Sequence, residues 1–281
     1  MSADEDKYPA ESGRRRFVKG VVGGAALAGV GATGAVSINT LTTSSGAGGG
    51  PVEAMVIERT DGPAPRGMPQ IPIEIDDEGF IKGIWPEIQT ETVEGVEVEI
   101  ARQDMPGDVT YSQEWFQYCG LESNNGLDPG HDSDNYFVTD PGAGYEWQAD
   151  KSEGDRFNIS EFDDYTEWDA ESGIGDPGVG KPGQAIWRSE DSENPLPVML
   201  LRSETIEEAA QDNEWLQAST DQGVIAWLNK CTHFCCVPSY KTAGDAPKYD
   251  AANDVYCQCH QSVYDPFSIV SALYIARPRT E

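Results

Sequence analysis

The chain has 281 residues, 38% of them hydrophobic, and its 49 acidic against 19 basic residues give a net charge of −30. This composition excludes a polytopic membrane protein, and the charge excludes nucleic acid as a partner because its phosphates would be repelled. The acidic residues are scattered along the whole chain, which is typical of proteins from high-salt surroundings, where salt screens their mutual repulsion. The sequence therefore indicates a halophilic protein with a soluble folded body.

The N-terminus carries the pattern of an export signal or membrane anchor. Residues 14–19 (RRRFVK) resemble a twin-arginine signal, and the uncharged run 20–41 is about as long as a bilayer requires. The positive charge before this run predicts a cytoplasmic tail, 1–19, and places the rest of the chain on the extracytoplasmic side of the cell membrane. We expect one uncleaved transmembrane helix in the lipid bilayer, with signal cleavage as the alternative.

A mainly β head is predicted after the anchor. Residues 42–50 (TTSSGAGGG) have the composition of a flexible hinge linker, and the head is expected over residues 51–281. Short runs rich in β-branched residues predict strands at 52–58, 71–75, 93–100, 198–201, 224–228, 255–257 and 268–275. One helix is predicted from Ile206 to about Asn213, with Thr205 and Glu208 as its capping box.

Residues 101–195 form a long acidic stretch with many aromatic side chains. So many aromatic residues indicate a folded insertion and not a disordered segment. The stretch also contains His131, which we interpret as part of a solvated acidic loop and not as a metal ligand. No function is predicted for this insertion.

Two short segments carry the residues best suited to metal chemistry, 231–236 (CTHFCC) and 257–262 (CQCHQS). Each pairs a cysteine with a nearby histidine, Cys231 with His233 and Cys257 with His260. The chain has only three histidines, so the presence of two of them in these segments is not expected by chance. Two cysteines and two histidines can bind zinc as well as iron.

The two segments resemble the cluster-binding loops of Rieske proteins, C-x-H-x-x-C and C-x-C-H-x-S. The resemblance implies one [2Fe–2S] cluster, with Cys231 and Cys257 as the ligands of one iron. By the same resemblance, His233 and His260 hold the other iron and would meet the substrate. The implied fold is mainly β, with stacked antiparallel sheets and a small cluster-binding subdomain at about residues 225–270.

Within this family, the chain is most similar to the quinol-oxidising proteins of cytochrome bc-type complexes. Cys236 and Cys259 match two cysteines of these proteins that form a disulfide between the loops. Ser262 matches a hydroxyl that bonds a bridging sulfide, and Tyr264 matches a phenol that bonds a ligating sulfur. Both hydrogen bonds would raise the reduction potential.

Several positions near the ligands depart from the family pattern. Phe234 replaces a leucine and is expected to shield the cluster. Cys235 and Gln261 stand where the family often has glycine, so the turns must differ if those positions require a positive φ angle. Cys119 and Cys235 are left over once the other cysteines are assigned; outside the cytoplasm a second disulfide between them is predicted, and two free thiols are the alternative.

A proline-rich segment near the start of the head resembles a loop that bc-type proteins carry after their second cluster-binding loop. It consists of Gly62, Pro63, Ala64 and Pro65, and the strand predicted at 71–75 follows it. If the loop has moved to the front of the head, these four residues would cover the cluster. A plain proline-rich linker is the alternative interpretation.

The resemblance implies the Rieske subunit of a cytochrome bc-type quinol-oxidising complex, which is the electron-transfer part of a quinol–cytochrome c-type oxidoreductase. The expected partners are a cytochrome b-type membrane subunit, quinol, and a c-type cytochrome or copper protein that accepts the electron. The Rieske subunit of a molybdenum enzyme such as arsenite oxidase is the alternative within redox chemistry. A zinc-binding surface protein is the alternative outside it.

Overall fold

The structure covers most of the predicted head. A computed structural model describes residues 49–60, 67–93, 96–140, 144–190, 192, 194–232 and 235–279. The predicted tail, the anchor and most of the linker lie outside these residues, as do the proline-rich segment 62–65, His233 and Phe234. Within the described ranges, no helix is long and apolar enough to cross a membrane.

Most of the regular structure is β-strand, as the sequence predicts. In chain order the described strands are β1 (Gly50–Arg59), β2 (Gly67–Ile71), β3 (Ile73–Ile75), β4 (Ile81–Gly83), β5 (Ile88–Val93), β6 (Val96–Met105), β7 (Val109–Ser112), β8 (Lys181–Trp187), β9 (Leu196–Arg202), β10 (Val224–Leu228), β11 (Ser239–Tyr240), β12 (Val255–Cys257) and β13 (Ser262–Ala276). Neighbouring strands pair in the antiparallel direction throughout.

Eight of these strands form one sheet in the order β11-β12-β13-β1-β2-β10-β9-β8. The pair β3–β4 and the three strands β5–β6–β7 form two smaller sheets. In the middle of the large sheet, β2 pairs Met68 with Ile57 of β1 and Ile71 with Ala226 of β10. The first cysteine segment follows β10 and the second joins β12 to β13, so β1 and β2 hold both segments to one sheet.

The large sheet separates two apolar cores. Side chains alternate between the two faces of a strand, so Val198 of β9 enters the first core while its neighbour Met199 enters the second. The first core contains many aromatic residues of the insertion, including Tyr111, Trp115, Phe116, Phe137, Phe157 and Phe162. The second core contains Cys231 and Cys257, so the first cysteine of each segment is packed among buried apolar side chains.

The predicted insertion is folded and contributes a strand to the large sheet. Near its C-terminal end, β8 pairs with β9 from Lys181 opposite Arg202 to Trp187 opposite Leu196. Short 3₁₀ helices, such as Gln113–Phe116, carry much of the remaining chain. The insertion therefore shares the apolar cores of the head and is not a separate body.

Two predicted strands are divided in the structure. The strand predicted at 71–75 is interrupted at Pro72, which has no N–H group to continue the hydrogen-bonded ladder. Before Pro72 the chain belongs to the large sheet as β2, and after it β3 pairs with β4 instead. The strand predicted at 93–100 is the hairpin of β5 and β6.

The predicted helix is shorter than expected: α1 (Glu204–Ala209) ends four residues before Asn213, and a second helix that was not predicted, α2 (Glu214–Ser219), follows it. The predicted capping box was wrong, because the Ser203 hydroxyl accepts the Thr205 backbone N–H at 3.2 Å and caps α1 two residues earlier. Asn213, predicted as the last helical residue, instead caps α2 by accepting the Leu216 N–H at 3.1 Å.

Candidate metal centre

The first cysteine segment leaves the sheet after β10 and folds back on itself. The Cys231 N–H donates to the Cys236 carbonyl at 2.8 Å, and the Cys235 N–H donates to the Cys231 carbonyl at 3.0 Å. At the base of this loop, the Asn229 side-chain amide donates to the Pro238 carbonyl at 2.9 Å. Cys231 is fully buried, so its thiol belongs to the second apolar core and not to the surface.

The second cysteine segment is the turn between β12 and β13. Cys257 pairs with Ser262 at the end of the two strands. The Cys257 carbonyl accepts hydrogen bonds from the His260 N–H at 3.3 Å and the Gln261 N–H at 2.8 Å, which makes the turn tight. Cys257 is therefore buried in the strand, while His260 lies partly exposed in the turn.

Cys231, Cys257 and His260 converge at the meeting of the two loops. The His260 Nδ1 lies 3.7 Å from the Cys231 sulfur and 3.5 Å from the Cys257 sulfur, and the three ligand atoms all lie within 4.8 Å of one another. The pKa of the Cys257 thiol is raised far above its ordinary value, mainly by a hydrogen bond with Cys231 and to a smaller extent by burial. Two buried thiols this close resist becoming thiolates unless a cation lies beside them, so the arrangement suits a metal.

Two buried hydroxyl groups lie beside the candidate cysteine ligands. The Tyr264 hydroxyl lies 3.1 Å from the Cys231 sulfur, and burial together with this contact raises the pKa of Tyr264, which keeps it a phenol. Ser262 is fully buried, and its hydroxyl has no hydrogen-bond partner among the described residues. A buried hydroxyl next to the candidate ligand Cys257 could donate to a group that brings its own acceptor, such as a sulfide.

Two disulfides surround the site. The expected bond between Cys236 and Cys259 is present, with the two Cα atoms 6.6 Å apart, and it ties one loop to the other. The expected bond between Cys119 and Cys235 is present as well, with a Cα separation of 5.3 Å, and it ties the insertion to the first loop. The neighbouring residues Cys235 and Cys236 are thus anchored to two different parts of the chain, which restricts the first loop.

The two positions where glycine is usual keep a left-handed backbone. Cys235 has a φ angle of 68° and Gln261 one of 59°, although neither is glycine. An ordinary side chain in this conformation costs about 1–2 kcal/mol. The turn geometry is therefore retained at some cost in stability, which the disulfide of Cys235 and the hydrogen bonds of the second turn offset.

The two cysteine segments and the residues that follow each of them carry no charged side chain, although the protein is strongly acidic. Residues 231–240 and 255–264 contain no Asp, Glu, Lys or Arg, although the chain as a whole has 49 acidic residues. Val237 is 55% exposed, and the side chain of Gln258 is exposed as well. The exposed parts of these two stretches, called the tip below, can therefore enter an apolar environment without the cost of burying a charged side chain.

The structure brings together every predicted site residue that it describes. Of the predicted set, His233, Phe234 and the proline-rich segment 62–65 lie outside the described residues. Sequence reasoning missed Tyr118, whose hydroxyl donates to the Lys230 carbonyl at 2.8 Å, next to the candidate ligand Cys231. The only sequence signal for this contact is the neighbouring Cys119, a cysteine left over after the others are assigned.

Comparisons with family models, with curated proteins and with solved structures found no match for this chain.

Proposed function

We propose that this chain is an electron-transfer protein that carries one Rieske-type [2Fe–2S] cluster. The observation that carries the proposal is the position of His260, whose Nδ1 faces two buried cysteine sulfurs at 3.5 and 3.7 Å. The loops that supply these groups are joined by the Cys236–Cys259 disulfide, as the resemblance to the bc-type proteins implies. The large antiparallel sheet that carries both loops is compatible with a Rieske-like fold.

Cys231 and Cys257 would hold one iron of the cluster, and His233 and His260 would hold the other. When bound, such a cluster stores one electron, at a potential that nitrogen ligands raise above that of all-cysteine clusters. The Tyr264 phenol would donate to the Cys231 sulfur and favour the reduced state, in which the sulfur carries more negative charge.

His260 would provide the contact with the electron donor. Its Nδ1 faces the sulfurs, so Nε2, on the far side of the ring, is the atom that would exchange a proton with a quinol hydroxyl. The ring is partly exposed, and the stretches 231–240 and 255–264 that carry the two segments contain no charged residue, which suits a low-dielectric quinol site. We therefore infer that the tip docks against a cytochrome b-type membrane subunit.

The remaining parts of the proposed function follow from the N-terminal sequence. The predicted anchor at residues 20–41 would hold the head at the extracytoplasmic membrane surface, and the linker at 42–50 would let it move between partners. In this arrangement the electron passes from quinol to the head, and from the head to a c-type cytochrome or a copper protein.

Metal analysis and electron paramagnetic resonance of the purified full-length chain test the cluster. We expect two iron and two labile sulfide per chain, and a reduced-state signal whose average g value lies below 2, as mixed nitrogen and sulfur ligation produces. One zinc per chain and no such signal would overturn the proposal in favour of a zinc-binding protein.

Purification of the intact membrane complex tests the partners. Co-purification with b-type haem and reduction of the cluster by quinol are the expected results. Co-purification with a molybdenum subunit, and reduction by the substrate of that subunit, would assign the chain to a molybdenum enzyme instead.

A further inference from the structure

The insertion contacts the first cysteine loop on both sides of the ligand Cys231. Before the ligand, the Tyr118 hydroxyl donates to the Lys230 carbonyl at 2.8 Å. At the ligand itself, the Cys119 sulfur lies 3.6 Å from the Cys231 carbonyl oxygen. After it, Cys119 is covalently bound to Cys235. Two consecutive residues of the insertion thus hold the loop at two points, one on each side of Cys231, and contact the Cys231 carbonyl between them.

These two residues are themselves firmly held. Tyr118 is 7% exposed, and its ring packs edge-to-face against Tyr274 with 6.3 Å between the ring centroids. The Tyr274 hydroxyl in turn donates to the backbone carbonyl of Trp115 in the first apolar core. Burial, with smaller contributions from Tyr274, Tyr264 and Cys231, raises the pKa of Tyr118 well above its ordinary value, so the phenol remains a hydrogen-bond donor. The hydrogen bond to Lys230 is therefore made by a buried side chain that is packed against the first apolar core.

We propose that Tyr118 and Cys119 are positioning residues for the metal ligand Cys231, so that the insertion acts as a clamp on the metal centre. The inference rests on the proposed function for the identity of the metal group. Tyr264 contacts the Cys231 sulfur directly, whereas the clamp fixes the backbone from which this sulfur projects. Groups that orient a ligand without touching the metal tune both the retention and the electronic properties of the centre.

A clamp on the metal centre can be distinguished by measurement from a staple, meaning a contact that stabilises only the fold. A staple would change the melting temperature and leave the metal group unaltered once the protein is folded. A clamp changes the reduction potential and the rate of metal loss, because the ligand gains freedom to move. His260 lies in the tip that would contact a partner. The clamp would therefore also keep Cys231 in place while the partner docks.

Three variants of the full-length chain separate these two roles. Tyr118→Phe removes one hydroxyl and keeps the ring, and the double variant Cys119→Ser with Cys235→Ser removes the covalent bond. Tyr136→Phe is the matched control, because it removes a hydroxyl of the same insertion that bonds Asp76 instead of the loop.

Iron release to a chelator and the reduction potential are measured for each folded variant. We expect release from Tyr118→Phe and from the double variant to be about tenfold faster, the lower end of the effect of lost outer-shell contacts on metal affinity. Both variants should also change the potential, while Tyr136→Phe matches the wild type. Unchanged release and potential in both variants, with or without a lower melting temperature, would overturn the clamp.

Thiol labelling of the metal-free protein keeps this test independent of the cluster. In the clamped protein Cys231 is fully buried, so peptide mapping should show that a maleimide reacts with it several-fold faster in the double variant. Faster labelling supports the clamp even if the wild type contains no iron–sulfur cluster. The absence of a cluster would overturn only the proposed function. Equal labelling rates in all variants would count against the clamp itself.

Discussion

The hydroxyl of Tyr264 lies 3.1 Å from the sulfur of Cys231, and both side chains are fully buried. A hydrogen bond to sulfur is strengthened when the sulfur gains negative charge, and in a buried site this effect is not screened by water. The contact therefore links one side chain of β13 to the electronic state of any metal group held by the first loop.

Tyr264→Phe should lower the reduction potential by tens of millivolts while the cluster still assembles. The lost bond contributes about 1–2 kcal/mol when charge is involved, and a tenfold change in a one-electron equilibrium corresponds to about 59 mV. Voltammetry of the purified head measures the shift. Tyr240→Phe is the control, because Tyr240 lies in the same apolar core and its hydroxyl has no hydrogen-bond partner in the described part of the chain.

Ser262→Ala should lower the potential in the same direction, because the buried hydroxyl would then no longer donate to a sulfide. If neither Ser262→Ala nor Tyr264→Phe alters the potential, the proposal of a tuned bc-type site fails.

Cys231→Ser and His260→Gln should each abolish the cluster, since each removes a bond to iron that no nearby residue can replace. Electron paramagnetic resonance of the reduced protein and iron content are the measurements. His131→Gln should leave the cluster intact, because His131 lies in an acidic loop, 3.5 Å from Glu190. A normal signal in either ligand variant would contradict the assignment of the ligands.

Gln261→Gly should stabilise the head by about 1 kcal/mol, because Gln261 has a φ angle of 59° that an ordinary side chain adopts only with strain. Gln258→Gly, in the same exposed turn but without a positive φ angle, should destabilise it by about 0.5–1 kcal/mol. Denaturant unfolding measures both changes. Effects of the same sign in the two variants would refute the strain at Gln261.

Peptide mapping under non-reducing conditions should find Cys119 joined to Cys235 and Cys236 joined to Cys259. The first bond closes a loop across 116 residues, so its removal by Cys119→Ser with Cys235→Ser should lower the free energy of unfolding by about 3–4 kcal/mol. Free thiols at Cys119 and Cys235 in the oxidised protein would contradict this pairing.

Asp254→Asn should stabilise the protein at pH 7 and have little effect near pH 4. Burial, and to a smaller extent repulsion by the negative charge of Asp265, raises the pKa of Asp254 from 3.8 to about 6. The folded state then binds a proton more tightly than the unfolded chain, so wild-type stability falls relative to the variant as pH rises from about 4 to about 6. Because the carboxyl is partly exposed, we expect a difference of about 1 kcal/mol. Parallel stability curves for the two proteins would rule this effect out.

Much of the candidate site was predictable from local sequence because its chemistry is local. A cysteine and a histidine two or three residues apart reach the same metal through one short loop, and Cys257 and His260 do lie together in one turn. The strands at 224–228 and 255–257 begin and end at the predicted residues, since the apolar runs there are short and bounded by polar residues. Counting cysteines left Cys119 and Cys235 over but did not decide between a disulfide and two free thiols, and the tertiary structure brings them together.

Only the tertiary structure decided how distant segments meet. Nothing in the local pattern indicates that Ile71 pairs with Ala226, that β8 of the insertion extends the sheet beside β9, or that Tyr118 donates to Lys230. Likewise the first turn of α1 is capped by Ser203, although Thr205 and Glu208 fit the capping pattern equally well. Sequence determines which residues can ligate a metal and which runs can form strands, because those depend on side-chain chemistry and short-range periodicity. The partners of each strand, loop and buried hydroxyl depend on the packing of the whole chain, which selects among many locally equivalent contacts.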